Sequence, residues 1–122
     1  MYQITVETSF EAAHKLTDYN GPCSVLHGHH WIVRASWRRD KTDNIGMTFD
    51  MTILRKMLRH VIFDMDHRYL NKVLDRPTAE KLAALIYARL KDKDFSDALC
   101  SVTVEETPGS KVTYYEVEET SS

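Results

Sequence analysis

The chain has 122 residues, 43% hydrophobic and 28% charged, with 16 Lys and Arg against 18 Asp and Glu for a net charge of -2. This composition predicts one compact domain over residues 1–122 and excludes a disordered chain. No basic stripe marks a nucleic-acid-binding surface, and no apolar run has the length of a membrane span. MYQITVETSF shows no basic region followed by an apolar block, so no secretory signal is expected and the expected location is the cytosol.

Tyr2 to His14 alternates, with Tyr2, Ile4, Val6, Phe10 and Ala12 on one parity and Glu7 and Glu11 on the other. That is the period of a half-buried strand, and His14 shares the apolar parity. A loop rich in turn formers, LTDYNGPCSV, follows. His27 to Arg38 alternates again: His27, His29, Trp31, Val33, Ala35 and Trp37 line one face, His30, Arg34, Ser36 and Arg38 the other.

Asp50 is placed to cap a helix with Ile53, Leu54, Met57, Leu58, Val61 and Ile62 at helical spacing. FDMDHRYLN breaks that pattern and reads as a loop or short turn. Thr78 caps a second helix with Leu82, Leu85, Ile86 and Leu90 on one stripe. SVTVEE and KVTYYEVE flank Pro108-Gly109-Ser110 as a hairpin. The order ββααββ predicts an α+β fold, a four-stranded antiparallel sheet with two helices on one face. Two exposed sheet edges further predict an oligomer in which sheets from several subunits join.

His27 and His29 are two apart on a strand and therefore project from one face. Imidazole suits zinc, and a catalytic zinc typically has three protein ligands and one open position. His14 is a third imidazole of consistent parity. An HxH pair on an apolar face favours metal binding over ordinary core histidines. Cys23, four residues before His27, is either a fourth ligand or a free thiol whose pKa the cation lowers. Spacing does not choose between these. His30 is expected to face solvent, His60 to sit at a helix boundary, and Cys100 to be a small buried residue. His67, beside Asp66 in a loop between helices, reads equally as a turn residue or a functional one.

The runs FEAAH (10–14), CSVLHGH (23–29), GMTFD (46–50), MDHRYLN (65–71), PTAE (77–80) and VEET (104–107) together resemble the 6-pyruvoyltetrahydropterin synthase / 6-carboxytetrahydropterin synthase family, from about residue 3 to about residue 117. The three residues between Cys23 and HGH are similar to the queuosine-pathway branch, the 6-carboxytetrahydropterin synthases. Another branch carries glutamate in place of the cysteine and cleaves the side chain differently. Departures are small: Met65 replaces a more usual leucine, Glu105 stands where a basic residue is common, and Arg76 before Pro77 differs from the common form.

The resemblance implies the tunnelling fold (T-fold), with sheets joined into a barrel, commonly a homo-hexamer of two trimers with active sites at subunit interfaces. It implies Zn²⁺ on His14, His27 and His29, with Cys23 as general base. Asp66 and His67 become a proton relay, Glu106 the anchor of the pterin substrate, and Thr107 an added polar contact. A triphosphate must meet cationic side chains, and Lys15 and Arg68, which sit beside site residues in the sequence, are the candidates. The implied reaction converts 7,8-dihydroneopterin triphosphate to 6-carboxy-5,6,7,8-tetrahydropterin, acetaldehyde and triphosphate. The alternatives are 6-pyruvoyltetrahydropterin synthase activity on the same substrate and a non-catalytic zinc- or pterin-binding oligomer.

Overall fold

The alternation in the first two segments becomes two 13-residue strands, β1 (Tyr2–His14) and β2 (His27–Arg39), paired antiparallel from Tyr2–Arg39 to His14–His27. The computed structural model describes residues 1–14 and 27–117, and at 14, 27, 28 and 107 the backbone alone. Cys23 and Lys15 therefore lie outside the described residues. Next come α1 (Met51–Val61), β3 (Arg68–Tyr69) and a 3-10 turn at Leu70–Lys72. The chain continues through α2 (Ala79–Lys91), a second 3-10 turn at Ser96–Ala98, β4 (Leu99–Thr107) and β5 (Ser110–Tyr114).

Both helices start where the sequence places their caps. The Asp50 carboxylate accepts from the Thr52 N–H at 2.9 Å, and the Thr78 hydroxyl from the Lys81 N–H at 3.2 Å. Each supplies a partner for a backbone donor that the first helical turn leaves open. Leu54, Leu58, Val61 and Ile62 from the first stripe, and Leu82, Ile86 and Leu90 from the second, are buried. Ile53 is 47% exposed and lies at the edge of its stripe.

Among the described residues the sheet has five strands in the order β3-β1-β2-β4-β5, all antiparallel neighbours except β3, which runs parallel to β1. This corrects the expected four-stranded antiparallel sheet. The segment read as a loop supplies the fifth strand, Arg68 pairing with Ala12 and Tyr69 with Ala13. Two residues are too few to carry a period of two, so alternation gives no sign of them.

One face of the sheet packs on the helices. Val6, Phe10, Trp31, Val33, Ala35, Trp37, Val102 and Val104 are each at most 2% exposed and share one core with the helical stripes. The other face carries polar cross-strand pairs: Glu7–Arg34 at 2.7 Å, Glu11–His30 at 2.6 Å and Thr103–Thr113 at 2.8 Å. Among the described residues, no helix is long and apolar enough to cross a membrane.

Candidate active site

Three segments meet at one end of the sheet. The β1–β2 register opposes positions 14 and 27 directly and pairs Ala12 with His29. All three histidine positions thus fall within the last turn of one strand pair. His14 and His27 are described by backbone alone, and among the described residues no group of three or more His, Cys, Asp or Glu side chains is arranged to hold a metal ion. The donor set still suits zinc: three histidines on adjacent strands, two of them at directly opposed positions.

The floor of this end is aromatic. Trp31 is fully buried, stacks on Phe10 with centroids 6.0 Å apart, and presents itself edge-on to the His29 ring at 5.8 Å. Its indole N–H donates to the Ala12 carbonyl at 3.2 Å, tying β2 to β1 beside the histidines. A buried tryptophan N–H requires such an acceptor.

Glu106 arrives from β4. Between Glu105 and Thr107 the β4–β5 register slips by one residue, so Glu106 sits at a bulge. Bulges re-aim side chains at sheet ends. Here the Glu106 Oε1 comes within 2.9 Å of Nε2 of His29, with the side chains 23% and 25% exposed. Thr107, expected beside it, is described by backbone alone and pairs with Ser110.

Asp66 and His67 arrive from the turn after α1. Although the two are adjacent in sequence, their side chains meet, with His67 Nδ1 3.1 Å from Asp66 Oδ1. The same carboxylate accepts the Glu11 N–H at 3.0 Å, and the His67 N–H donates to the Glu11 carbonyl at 2.5 Å. Glu11 is the residue that sequence reasoning missed: its main chain grips both members of the pair, and a main-chain role leaves no mark in residue type. His67 takes φ 56°, a left-handed conformation that turns the chain into β3. The hydrogen bond from the Glu11 amide, and then the neighbouring His67, hold the Asp66 carboxyl below its ordinary value of 3.8.

These pieces frame a cavity of about 440 Å³ lined by Glu11, His29, His67, Arg68 and Tyr69, together with Ala12 and Ala13. His29 and His67 thus share one cavity, and Glu106 and Asp66 each touch one of its lining histidines. Arg68 is the one described member of the two cationic candidates, and it lines the cavity. The remaining candidates stand elsewhere. His30 points to the helix-free face and pairs with Glu11, His60 is exposed on α1, and the half-buried Cys100 thiol donates to the Ser36 carbonyl at 3.2 Å.

A family model described as 6-pyruvoyl tetrahydropterin synthase matches residues 3–117. The chain is 37% identical over 122 residues to a 6-carboxy-5,6,7,8-tetrahydropterin synthase of Synechocystis sp., with 94% of each chain covered. It is 32% identical over 91 residues to a dihydroneopterin monophosphate aldolase of Pyrococcus furiosus, covering 73% of this chain and 75% of that one. The solved structure of Caenorhabditis elegans 6-pyruvoyl tetrahydropterin synthase aligns with a TM-score of 0.82 at 30% identity, over 96% of this chain and 98% of the other.

Proposed function

The chain belongs to the 6-pyruvoyl tetrahydropterin synthase family, and we propose that it is a zinc-dependent lyase converting 7,8-dihydroneopterin triphosphate to 6-carboxy-5,6,7,8-tetrahydropterin, acetaldehyde and triphosphate. The observation that carries this reading is the cavity that His29 and His67 share, with Glu106 2.9 Å from His29. It sets a carboxylate suited to a pterin next to an imidazole suited to a metal. The choice of product rests on the three-residue interval between Cys23 and His27 and on the Synechocystis relative.

The reaction balances without an external redox cofactor. The ring gains two electrons as the side chain loses them, C1′ stays on the ring as the carboxylate, and C2′ and C3′ leave as acetaldehyde. One water supplies the added oxygen, and triphosphate departs. Zinc on His14, His27 and His29 supplies Lewis acidity toward the side-chain oxygens when bound.

The residues of the chain divide the remaining work. Glu106 accepts parallel hydrogen bonds from a pterin ring N–H and the exocyclic amino group, which fixes the ring. The Cys23 thiolate removes a proton from a side-chain carbon. His67 returns protons, with Asp66 orienting its ring through the Nδ1 contact. Arg68 offers positive charge to the phosphates from within the cavity.

The proposal includes a homo-hexamer of two trimers in which sheets close into a barrel and sites form at subunit interfaces. Its support is the length of open edge. β1 pairs on its outer side with β3 only at Ala12 and Ala13, and β5 ends the sheet on the other side. Long open edges invite pairing with another chain.

Metal analysis of Cys23→Ala tests the division of roles. A catalytic cysteine predicts zinc content near that of the wild type with turnover lost. Loss of zinc together with unfolding makes Cys23 a fourth ligand of a structural site. Unchanged turnover contradicts the proposed base.

A further inference from the structure

The turn that presents Asp66 and His67 begins where α1 ends, at Val61, and its far side is held by a residue from another helix. Arg89 of α2 donates from Nη1 to the Val61 carbonyl at 2.8 Å and to Asp64 Oδ1 at 2.7 Å, and from Nη2 to Asp64 Oδ2 at 3.1 Å. Within the turn, Met65 is fully buried and its N–H donates to the Ile62 carbonyl at 2.9 Å. One residue further, Asp66 and His67 dock on the Glu11 main chain. The chain from Val61 to His67 is therefore pinned at three successive places: the guanidinium fork, the Met65 side chain and the Glu11 backbone.

We infer that Arg89, through Asp64 and the Val61 carbonyl, is a positioning residue that sets the turn so that Asp66 and His67 meet β1 in register. The role assigned to His67 rests on the catalytic reading above, while the docking of the turn does not.

Magnitudes favour positioning over bulk stabilisation. Arg89 and Asp64 are 31% and 52% exposed, and exposed ion pairs contribute little stability. A bidentate guanidinium–carboxylate contact nevertheless fixes orientation, because two parallel N–H donors meet two oxygens in one plane. The fork also places positive charge at the C-terminal carbonyls of α1, where the helix dipole favours a cation. Arg89 holds the Asp64 carboxyl below its ordinary value of 3.8, in keeping with a contact made by the ionised form. A turn misplaced by about an ångström costs a reacting geometry roughly 100-fold in rate, far more than its cost in folding.

The test uses Arg89→Met, Arg89→Lys and Asp64→Asn in the full-length, metal-loaded protein. Amide hydrogen exchange is read at Glu11 and His67, with Val33 in the core as reference, alongside kcat and KM. Positioning predicts that Arg89→Met and Asp64→Asn lose protection at Glu11 and His67 while Val33 keeps it. It also predicts that kcat falls roughly 10- to 100-fold at unchanged KM and that Arg89→Lys recovers part of both. A uniform loss of protection, or a lowered Tm with wild-type kcat and wild-type exchange at Glu11 and His67, overturns the inference. If Arg89→Met does not fold, Asp64→Asn decides, since it removes charge at constant shape. If the wild type does not turn over dihydroneopterin triphosphate, the catalytic reading has failed, and exchange at Glu11 and His67 alone judges Arg89.

Discussion

Glu106 and His29, on strands β4 and β2, meet at 2.9 Å between Oε1 and Nε2, each about three-quarters buried. The β4–β5 bulge at Glu106 and the edge-on packing of His29 against Trp31 hold the two side chains at this end of the sheet. The Glu106 carboxylate is thereby largely shielded from solvent at this end of the sheet.

Glu106→Gln keeps the shape but loses the charge and one acceptor oxygen. A hydrogen bond to a charged group contributes about 1.5–3 kcal/mol, so pterin binding weakens roughly 10- to 100-fold. Calorimetric titration with a dihydropterin checks this, and wild-type affinity in the variant removes Glu106 from the pterin site.

His67→Asn separates backbone from chemistry. Asparagine tolerates the left-handed φ of 56° better than alanine does. The docking on Glu11 and the melting temperature should therefore survive. Turnover should fall by about 10²-fold or more, the usual contribution of a positioned acid–base group. Steady-state rates with a parallel thermal melt read both, and retained turnover sinks the relay.

Asp66 predicts a pH dependence of a defined sign. Its folded pKa lies below the ordinary 3.8, so the unfolded state takes up its proton first as pH falls. The stabilising contribution of Asp66 is then fully present above 3.8 and is lost as pH drops through the lower folded value. Protection of the Glu11 amide, measured as a protection factor against pH, should hold from neutrality to near 3.8 and decline below it. In Asp66→Asn that step should vanish, and its persistence would assign the titration to another group.

Trp31→Phe removes the indole donor to the Ala12 carbonyl in a fully buried place. Leaving a buried acceptor short of a partner costs about 1–3 kcal/mol. Urea unfolding should show a lower midpoint at constant slope. An unchanged midpoint means that Ala12 loses nothing by it.

The long elements were legible because each repeats its period many times. Ten and more residues of alternation defined β1 and β2, and Asp50 and Thr78 marked both helix starts through cap chemistry. The two-residue β3 was not legible, because it exists through pairing with Ala12 and Ala13 and not through its own pattern. The site divides the same way. His29 stands out through its HxH spacing, whereas Asp66, His67 and Glu106 stand out only through the motif resemblance; His29 and His67 line one cavity. The Glu11 main chain, the bulge at Glu106 and the fork from Arg89 depend on three-dimensional neighbours that no local window contains.

The zinc-loaded protein incubated with 7,8-dihydroneopterin triphosphate and analysed by mass spectrometry should yield 6-carboxy-5,6,7,8-tetrahydropterin with equimolar acetaldehyde and triphosphate. A tetrahydropterin that keeps all three side-chain carbons, with triphosphate but no acetaldehyde, contradicts the account and makes the protein a 6-pyruvoyl-forming enzyme.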